Sequence, residues 1–345
     1  MKQAFAVPAG TDLVSALASC HAQPLWDRYH RITRRTPAAP DAPWHWPWER
    51  MEPLIDRAIA EVSMEDAERR VLLLTHPAFP GSVATTTNLS SGLQTLLPGE
   101  VARAHRHSLQ AIRFVMQGGG AVTSVNDHRC AMAEGDLVLT PAWTWHEHVH
   151  PGEERVVWFD GLDLPLSTYL DTMFFEMAGA GRVSVRPVQT RSSTLHVDAA
   201  TLTPDATDPQ VAGGSPYRFA WERACKLLAQ TTPRADGSKL LRYVDGHSGG
   251  AVLPSLDCYL HALACGRPTR RYRSTSNAVC VVVQGQGSSL VGEAEISWKR
   301  HDVFTLPHWN WISHTAASSD AQVFMMTDRE LIASLGYLRE EDSPT

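Results

Sequence analysis

The sequence has no closely spaced pair of cysteines, no excess of basic residues and no long apolar run. Its six cysteines are scattered and form no CxxC pair, which excludes a disulfide framework or a zinc ribbon and fits a reducing compartment. A formal net charge of −6 argues against a broad nucleic-acid surface and leaves small molecules as the expected partners. The first residues, MKQAFAVPAGTDLV, contain no apolar segment long enough for a signal peptide, and no run approaches a membrane span. We therefore expect a cytoplasmic protein that binds neither nucleic acid nor membrane.

The stretch from 99 to 150 carries the residues with the clearest chemical meaning. His105 and His107 lie two residues apart in a strand-like context, so both side chains are expected on one face. His146 follows a turn and a short apolar run, and sheet pairing would bring it back beside the other two. Three neutral imidazoles leave other coordination positions of a metal ion open, which is typical of a catalytic site. Three histidines of a β-domain without any metal are the alternative.

The first half of this stretch resembles the first cupin motif. Gly99 is followed after five residues by His105-x-His107, and Gly118 comes next, as in that motif. The glutamate that cupins usually carry there is missing, because residues 110–112 are Gln-Ala-Ile. The resemblance therefore implies a metal site of three histidines without a carboxylate ligand.

The second half resembles the second cupin motif. Gly135 is followed after five residues by Pro141, and His146 comes next, as in that motif. Trp143 stands where the motif usually has glycine. Because both halves agree, the resemblance implies that the histidines lie in a small β-barrel of the cupin type.

A later region repeats the pattern of the first. The segment DVFTLP (302–307) matches DLVLTP (136–141), and a Trp-x-Trp sequence follows at the same distance in both. Such a duplication predicts two barrels of one topology. In the second copy the ligand positions hold Tyr272, Ser274 and Ile312, none of which is a good metal ligand here. We expect the second barrel to keep the fold without the metal.

These patterns predict an all-β core that consists of two cupin barrels, a bicupin, with an N-terminal helical arm. Residues 1–75 are assigned to a helical and tryptophan-rich arm, and residues 76–178 to the first barrel with the metal site. Residues 179–216, which are rich in Thr, Pro, Asp and Gly, are assigned to a linker. Residues 217–345 are assigned to a helix followed by the second barrel.

Two helices are predicted in detail. Residues 50–70 have an amphipathic pattern, and Leu54, Ala58 and Val62 are expected on its buried face. The pair Ser215–Pro216 is expected to supply the N-cap and the first-turn proline of the helix that begins with YRFAWERACKLLAQ.

The tryptophans of the arm form a cluster among prolines. Trp44, Trp46 and Trp48 lie in PWHWPWE, where the prolines forbid a regular helix and predict an ordered loop. The three rings could line a pocket for an aromatic ligand. Packing against a barrel or a neighbouring subunit is the commoner use of such large apolar groups.

Longer phrases resemble a known enzyme family. PGEVARAHRHSLQAIRFV, GDLVLTPAWTWHEH and WFDGLD are similar to sequences of gentisate 1,2-dioxygenases and their salicylate-cleaving relatives, most tightly from 68 to 162. The resemblance implies an Fe(II) enzyme that uses O2 to open an aromatic ring between C1, which bears a carboxylate, and C2, which bears a hydroxyl. Imidazole ligands alone would also suit zinc, copper or nickel. The relatives are commonly homotetramers, so the resemblance also implies a tetramer.

Two further residues are expected inside the first barrel. Arg113 lies six residues after His107, an even separation that would aim both inward along an unbroken strand. A buried guanidinium needs an anion, which an aromatic carboxylate supplies; an Asp or Glu at the barrel mouth is the alternative partner. His148 follows His146 by two residues, so it could accept the phenolic proton of a substrate. A solvated histidine after the strand is the alternative.

Four more pocket residues are implied by the resemblance. Asp160, in WFDGLD, would orient a histidine or a substrate hydroxyl. Gln94 and Arg69 match pocket positions, although nothing except the resemblance separates Arg69 from Arg70, and surface ion pairs are the alternative. Ser90 stands where gentisate-cleaving relatives usually carry an aromatic residue, which implies a larger or more polar pocket. This departure admits a 5-substituted salicylate such as 5-nitrosalicylate.

The prediction is an Fe(II)-dependent extradiol-type dioxygenase that cleaves gentisate or a 5-substituted salicylate with O2. One alternative is a metal-dependent cupin isomerase or decarboxylase that needs no O2. The other alternative is a non-catalytic bicupin that binds or stores a ligand. The three-histidine set and an inward arginine favour the enzyme, because a storage protein needs neither.

Overall fold

The computed structural model describes residues 12–38, 41–179, 198–207 and 214–343. The chain divides into two units, Met1–Ala38 and Ala39–Thr345. Within the first unit lie two short helices, α1 (Leu13–Ser19) and α2 (Tyr29–Ile32). Among the helices described in the two units, none has the length and apolar character needed to cross a membrane.

The described residues from 41 to 179 contain three helices and eleven strands. The helices are α3 (Trp48–Glu61), α4 (Met64–Ala67) and α5 (Leu164–Tyr169). The strands are β1 (His45–Trp46), β2 (Val71–Leu73), β3 (Ser90–Leu96), β4 (Val101–His107), β5 (Ala111–Gln117), β6 (Val122–Val125), β7 (His128–Ala131), β8 (Leu137–Thr140), β9 (His146–Val149), β10 (Val156–Leu162) and β11 (Phe175–Met177).

The remaining elements lie in the described residues from 198 to 343. The helices are a short 3₁₀ helix (Asp205–Thr207), α6 (Trp221–Gln230) and α7 (Arg329–Ser334). The strands are β12 (Ala200–Leu202), β13 (Arg218–Phe219), β14 (Lys239–Tyr243), β15 (Asp257–Ala262), β16 (Tyr272–Ser274), β17 (Ala278–Gln284), β18 (Gln286–Val291), β19 (Ala294–Lys299), β20 (Val303–Leu306), β21 (Ile312–Ala316), β22 (Gln322–Thr327) and β23 (Glu340–Asp342).

The strands form two barrels, each built from two sheets. The sheets of the first barrel have the strand orders β13-β8-β5-β10-β3-β2 and β11-β4-β9-β6-β7. Those of the second have the orders β1-β20-β17-β22-β15-β14-β12 and β19-β18-β21-β16-β23. The central orders β8-β5-β10-β3-β2 and β20-β17-β22-β15-β14 correspond strand by strand. The predicted all-β bicupin is therefore confirmed.

The largest apolar core lies where the two barrels meet. Phe114 of β5 and Phe324 of β22 stack there with ring centroids 4.1 Å apart. Strand β5 is buried on both sides, because alternate residues such as Val115 point into the first barrel, where they pack around Trp158. The sequence of a strand that is covered on both faces is mostly apolar. Strand β5 of the first barrel is therefore held between two apolar cores.

Strand pairing crosses the predicted domain boundaries. Strand β1 of the predicted arm pairs with β20 of the second barrel, and β13 pairs with β8 of the first. The predicted linker contributes β12, which lies parallel to β14. Other parts of that linker, 180–197 and 208–213, lie outside the described residues. The division into four parts stays a prediction.

Both detailed helix predictions are wrong. The first names the wrong residues for the buried face, and the second starts its helix too early. Leu54 and Val62, expected to be buried, are 45% and 38% exposed. The residues that α3 turns toward the core are Trp48, Met51, Ile55 and Ile59. The second helix, α6, begins only at Trp221, because Arg218–Phe219 is drawn into strand pairing with β8. The backbone N–H of Trp221 donates to Asp136 at 2.8 Å, which satisfies one free donor at the start of α6.

The tryptophans next to β1 pack against the second barrel. Trp48 is 9% exposed, and its ring lies edge-on to His301 with centroids 5.1 Å apart. Its backbone N–H donates to Asp302 at 2.7 Å. Trp46 packs against the core between the barrels, whereas Trp44 remains 43% exposed. Packing on a barrel, rather than a pocket for a ligand, accounts for Trp46 and Trp48.

Candidate metal centre and active site

Two strands of the first barrel bring the three predicted ligand histidines together. His105 and His107 point inward from β4, and His146 at the start of β9 lies directly opposite His105. All three are buried, and one nitrogen from each lies within 4.8 Å of the others. No other group of three His, Cys, Asp or Glu side chains among the described residues has this geometry. The structure therefore forms the cluster that the spacing predicted.

Hydrogen bonds fix the orientation of each imidazole. The Nδ1 atoms of His105, His107 and His146 each lie beside a backbone carbonyl. The carbonyls are those of Arg103, Leu109 and Thr144, at 3.1, 3.0 and 3.0 Å. A carbonyl can only accept, so each Nδ1 carries the proton and each Nε2 keeps its lone pair. Three Nε2 lone pairs on one side of the barrel suit a divalent metal ion.

The surroundings keep these imidazoles neutral. Burial, together with the positive charges of Arg69 and Arg113, lowers the pKa of His105 to about 2. Burial and Arg113 lower the pKa of His107 to about 4, and burial lowers that of His146 well below its usual value. Because metals bind the neutral imidazole, the ligands are ready without loss of a proton at pH 7.

Arg113 and Asp160 form a buried pair beside the cluster. They lie opposite each other on β5 and β10, with Nε and Oδ1 3.5 Å apart. Arg113 donates through Nη1 to Thr140 at 2.5 Å, but its buried Nε has no hydrogen-bond partner. Asp160 accepts from Trp158 at 2.9 Å, and burial raises the pKa of its carboxyl to about 6 despite Arg113. Arg113 is therefore paired electrostatically with Asp160, although its Nε forms no hydrogen bond.

The prediction that one unbroken strand carries both His107 and Arg113 is wrong. His107 ends β4 and Arg113 lies on β5, which belongs to the other sheet, so no unbroken strand joins them. Arg113 is held instead by its neighbours in the sheet, Val138 on β8 and Asp160 on β10.

His148 is fully buried on β9. Its Nδ1 lies 2.8 Å from the hydroxyl of Thr123, which itself donates to the sulfur of Met132 at 3.0 Å. The hydroxyl therefore accepts from Nδ1–H, and Nε2 of His148 keeps a lone pair that has no partner. Its ring centroid is 6.0 Å from that of His146. The alternative of a solvated histidine is excluded.

Contacts now separate Arg69 from Arg70. Arg70 forms two hydrogen bonds to Glu100, at 3.0 and 2.8 Å, and a third from Nε to the carbonyl of Val62, so each of its three nitrogens has a partner. Arg69 makes one weak bond to the carbonyl of Arg103, at 3.3 Å, and its buried Nε has no partner. Its guanidinium lies over the ring of Phe175, 5.4 Å from the centroid. Arg69 is thus the one available to the site.

Ser90 and Gln94 line the same interior from β3. Both residues are an even number of positions from Leu96, so they share its face of the strand. Leu96 packs with Trp158 in the core of the first barrel. Ser90 and Gln94 are both 1% exposed. Neither Oγ of Ser90 nor Nε2 of Gln94 has a hydrogen-bond partner. These two polar atoms face the barrel interior without the bonds that burial normally requires.

Unpartnered polar atoms mark the site as a whole. Among the described residues, six of the thirteen buried side-chain nitrogen and oxygen atoms without a partner belong to predicted site residues. They are those of Arg69, Ser90, Gln94, Arg113, His146 and His148. Folded proteins rarely leave such atoms unpaired, so their concentration in one place points to bound polar groups.

The sequence did not reveal the part played by Phe175. This residue of β11 stacks on His105 with centroids 5.1 Å apart and is 42% exposed. It lies between His105 and Arg69 and thus covers one side of the cluster. Its neighbour Phe174 packs on Trp143 at 5.0 Å. The run MFFEM contains no spacing signal that would have placed it there.

Comparison with known proteins agrees with this geometry. A family model of the cupin domain matches residues 92–163. The chain is 35% identical over 334 residues to gentisate 1,2-dioxygenase 1 of Aquipseudomonas alcaligenes, with 95% of each chain covered. The chain belongs to the family of gentisate and salicylate 1,2-dioxygenases.

Other members of the family are similarly close. The chain is 32% identical over 333 residues to 5-aminosalicylate 1,2-dioxygenase of Comamonas sp., covering 94% of this chain and 88% of that one. A crystal structure of salicylate 1,2-dioxygenase from Pseudoaminobacter salicylatoxidans, an adduct with gentisate, matches with a TM-score of 0.82 at 26% identity, covering 99% and 97%. Members of this family are ring-cleaving dioxygenases, and so is this chain. The isomerase and storage alternatives are thereby excluded.

Proposed function

We propose that this enzyme is an Fe(II)-dependent dioxygenase that opens gentisate or a 5-substituted salicylate between C1 and C2. The observation that carries the proposal is the convergence of three free Nε2 atoms beside an arginine with an unpaired donor. A ferrous ion bound by His105, His107 and His146 would offer coordination positions to the carboxylate, the phenolate and O2, and would supply electrons to O2. A cytoplasmic location and a homotetramer remain predictions from sequence.

Arg113 is proposed to hold the substrate carboxylate. Its guanidinium is oriented by Thr140 and Asp160, and its Nε has no other partner. A carboxylate would accept charge-assisted hydrogen bonds from this fixed group. Arg69, with an unpaired buried Nε, adds a second positive charge on the same interior. The two arginines together favour an anionic substrate.

His148 is proposed to accept the phenolic proton. Because its Nδ1 is bound to Thr123, only Nε2 can take up a proton from the interior. Transfer of the proton to Nε2 leaves a phenolate, which is a more electron-rich ring. Thr123 then holds the protonated ring in place through the same hydrogen bond.

Ser90 and Gln94 are proposed to form the wall that decides which ring substituents fit. Ser90 replaces an aromatic side chain of gentisate-cleaving relatives, so it leaves additional room and a free hydroxyl. Gln94 offers an unpaired amide nitrogen to a polar substituent. Asp160, the ion-pair partner of Arg113, is proposed to position that arginine.

The test is an oxygen-uptake assay after anaerobic loading with Fe(II). Gentisate, salicylate and 5-nitrosalicylate are compared side by side, and bound iron is measured by elemental analysis. Protein loaded with zinc is the control. Uptake with gentisate alone makes Ser90 a tolerated variation, and uptake with salicylates alone makes it a change of specificity. No uptake with any of the three by iron-loaded protein would overturn the proposal.

A further inference from the structure

The second barrel contains a cavity of about 560 Å³ at the position that corresponds to the metal centre. Tyr272, Ser274 and Ile312, the counterparts of the three histidines, all line it. Tyr272 and Ile312 lie opposite each other on β16 and β21, just as His105 and His146 do on β4 and β9. The second barrel has therefore changed its ligand positions and kept an open interior.

The cavity has the size of a small-molecule site, and a section of its wall is apolar. Sites for small organic ligands have volumes of about 300–1,000 Å³ and mostly apolar linings. One part of the wall consists of the apolar residues Leu240, Ala278, Leu306, Ile312 and Met325. Such a surface suits the flat apolar body of an aromatic ring.

Unpartnered polar groups face the same cavity. Arg329 binds Glu340 through Nε and Nη2, at 2.8 and 2.6 Å, while its buried Nη1 has no partner. Nε2 of His261 is also buried and unpartnered. The hydroxyl of Tyr272 forms no hydrogen bond with any described residue. The cationic Nη1 of Arg329 and the hydroxyl of Tyr272 are thus two donors that are available for an acceptor group.

The acids at the rim do not oppose an anion strongly. Each acidic residue of β23 is paired with an arginine: the pairs are Arg329–Glu340, Arg273–Glu341 and Arg270–Asp342. Arg234 adds one positive charge to the lining, and Asp198 and Asp236 add two negative charges. These groups leave an excess of one negative charge, so the attraction for a singly charged acid comes from the free nitrogen of Arg329 and not from the net charge of the cavity.

We propose that the second barrel binds a small aromatic monocarboxylic acid without converting it. Its ring would lie against the apolar wall, and its carboxylate would accept hydrogen bonds from Nη1 of Arg329 and the hydroxyl of Tyr272. His261 remains for a polar substituent of the ring. Since the counterparts of the metal ligands are Tyr272, Ser274 and Ile312, this site holds the acid as a ligand and not as a substrate.

The test is equilibrium dialysis of the full-length protein with radiolabelled benzoate, which has no hydroxyl beside its carboxylate. We expect a binding event that persists in Arg113→Gln, a variant of the first barrel. Tyr272→Phe should weaken that event about tenfold, as expected for loss of one hydrogen bond to a charged group. Ile312→Trp, which places a bulky ring at the apolar wall where the ligand would lie, should weaken it at least as much.

The matched control is Arg57→Gln, which removes an exposed arginine paired with Glu61 and should leave binding unchanged. Arg329→Gln should weaken binding at least as much as Tyr272→Phe. If loss of the pair with Glu340 unfolds that variant, Tyr272→Phe decides, because it keeps the ring and removes one oxygen. Absence of any benzoate binding that Tyr272→Phe and Ile312→Trp reduce would overturn the proposal.

Discussion

The two barrels share a strand order but differ in what they place inside. The sheet β4-β9-β6-β7 of the first barrel corresponds to β16-β21-β18-β19 of the second. In the first, the opposed pair at the centre is His105 and His146; in the second it is Tyr272 and Ile312. Backbone pairing is thus independent of the metal. The chemistry depends on a few inward positions, which the fold tolerates in either form.

The same contrast holds for the buried ion pair. Arg113 lies between Val138 and Asp160 in the first barrel. At the corresponding place in the second barrel, Cys280 lies between Phe304 and Met325. The second barrel therefore has apolar groups, which need no partner, where the first barrel has a buried ion pair. At this position the first barrel keeps a charge pair whose burial costs free energy, and the second barrel does not.

One polar pair is present in both barrels. His148 bonds to Thr123 at 2.8 Å, and His314 bonds to Ser289 at 2.7 Å, each from the corresponding strands. The histidine and its hydroxyl partner are therefore compatible with a barrel that lacks the three-histidine cluster. What distinguishes His148 is its position beside His146, with an unpartnered Nε2.

The largest expected effect comes from removal of a ligand. His146→Ala takes away one of three nitrogens, so bound iron and oxygen uptake should both be lost. His128→Ala, an exposed histidine of the same barrel, should leave both unchanged. Elemental analysis and the oxygen electrode measure the two quantities. Full turnover by His146→Ala would contradict the assignment of the metal centre.

A smaller loss is expected from His148→Gln. Removal of a general base typically lowers kcat by about 10² to 10⁴, and iron content should stay the same because His148 is not a ligand. The matched substitution His314→Gln in the second barrel should leave kcat unchanged. Steady-state kinetics and elemental analysis separate the two effects. Loss of iron in His148→Gln, or an equal fall of kcat in His314→Gln, would refute the proposed role.

The buried pair of the first barrel can be replaced by apolar residues like those in the second. Asp160→Leu alone leaves Arg113 buried without its partner, so the free energy of unfolding should fall by about 3–5 kcal/mol. Adding Arg113→Met removes the uncompensated charge and should restore stability to about that of the wild type or above. Urea unfolding measures both. A double variant as unstable as the single one would show that the pair contributes to folding as well as to the site.

Residue spacing together with the resemblance to the two cupin motifs predicted the fold and the ligand cluster. Strand alternation placed His105 beside His107, and the repeat of DLVLTP as DVFTLP predicted a second barrel. The hydrogen bonds that leave each Nε2 free could not be read from the sequence. They depend on carbonyls whose directions are set by the fold.

The sequence could not show which of two neighbouring residues turns its side chain toward the site or the core. Arg69 and Arg70 are neighbours, and which one faces the site depends on how the chain enters β2. Glu68, just before them, has a φ of +54°, a left-handed conformation that no residue pattern announced. Similarly, the α3 helix turns Ile55 and not Leu54 to the core, a choice that packing against the barrels decides. Phase errors of one residue therefore move a side chain to the wrong face.

The smallest expected effect concerns a tryptophan pair in matching left-handed positions. Trp143 and Trp309 have φ values of +66° and +60°, where cupins usually have glycine in the first of these turns. Glycine relieves about 1–2 kcal/mol of backbone strain at such a position. Trp143 is 36% exposed and contacts Phe174, so Trp143→Gly should change the free energy of unfolding by about 1 kcal/mol or less.

The same substitution should cost more in the second barrel, where relief of strain is equal but packing is not. Trp309 is 6% exposed, and the guanidinium groups of Arg273 and Arg339 lie 4.4 and 5.0 Å from its ring. Loss of a buried tryptophan costs about 3–5 kcal/mol, so Trp309→Gly should be destabilising by about 2–3 kcal/mol after the strain is relieved. Thermal and urea unfolding of the two variants provide the comparison. The relief of backbone strain by glycine is the same at both positions. Equal destabilisation would therefore mean that Trp143 is held by contacts as strong as those of Trp309.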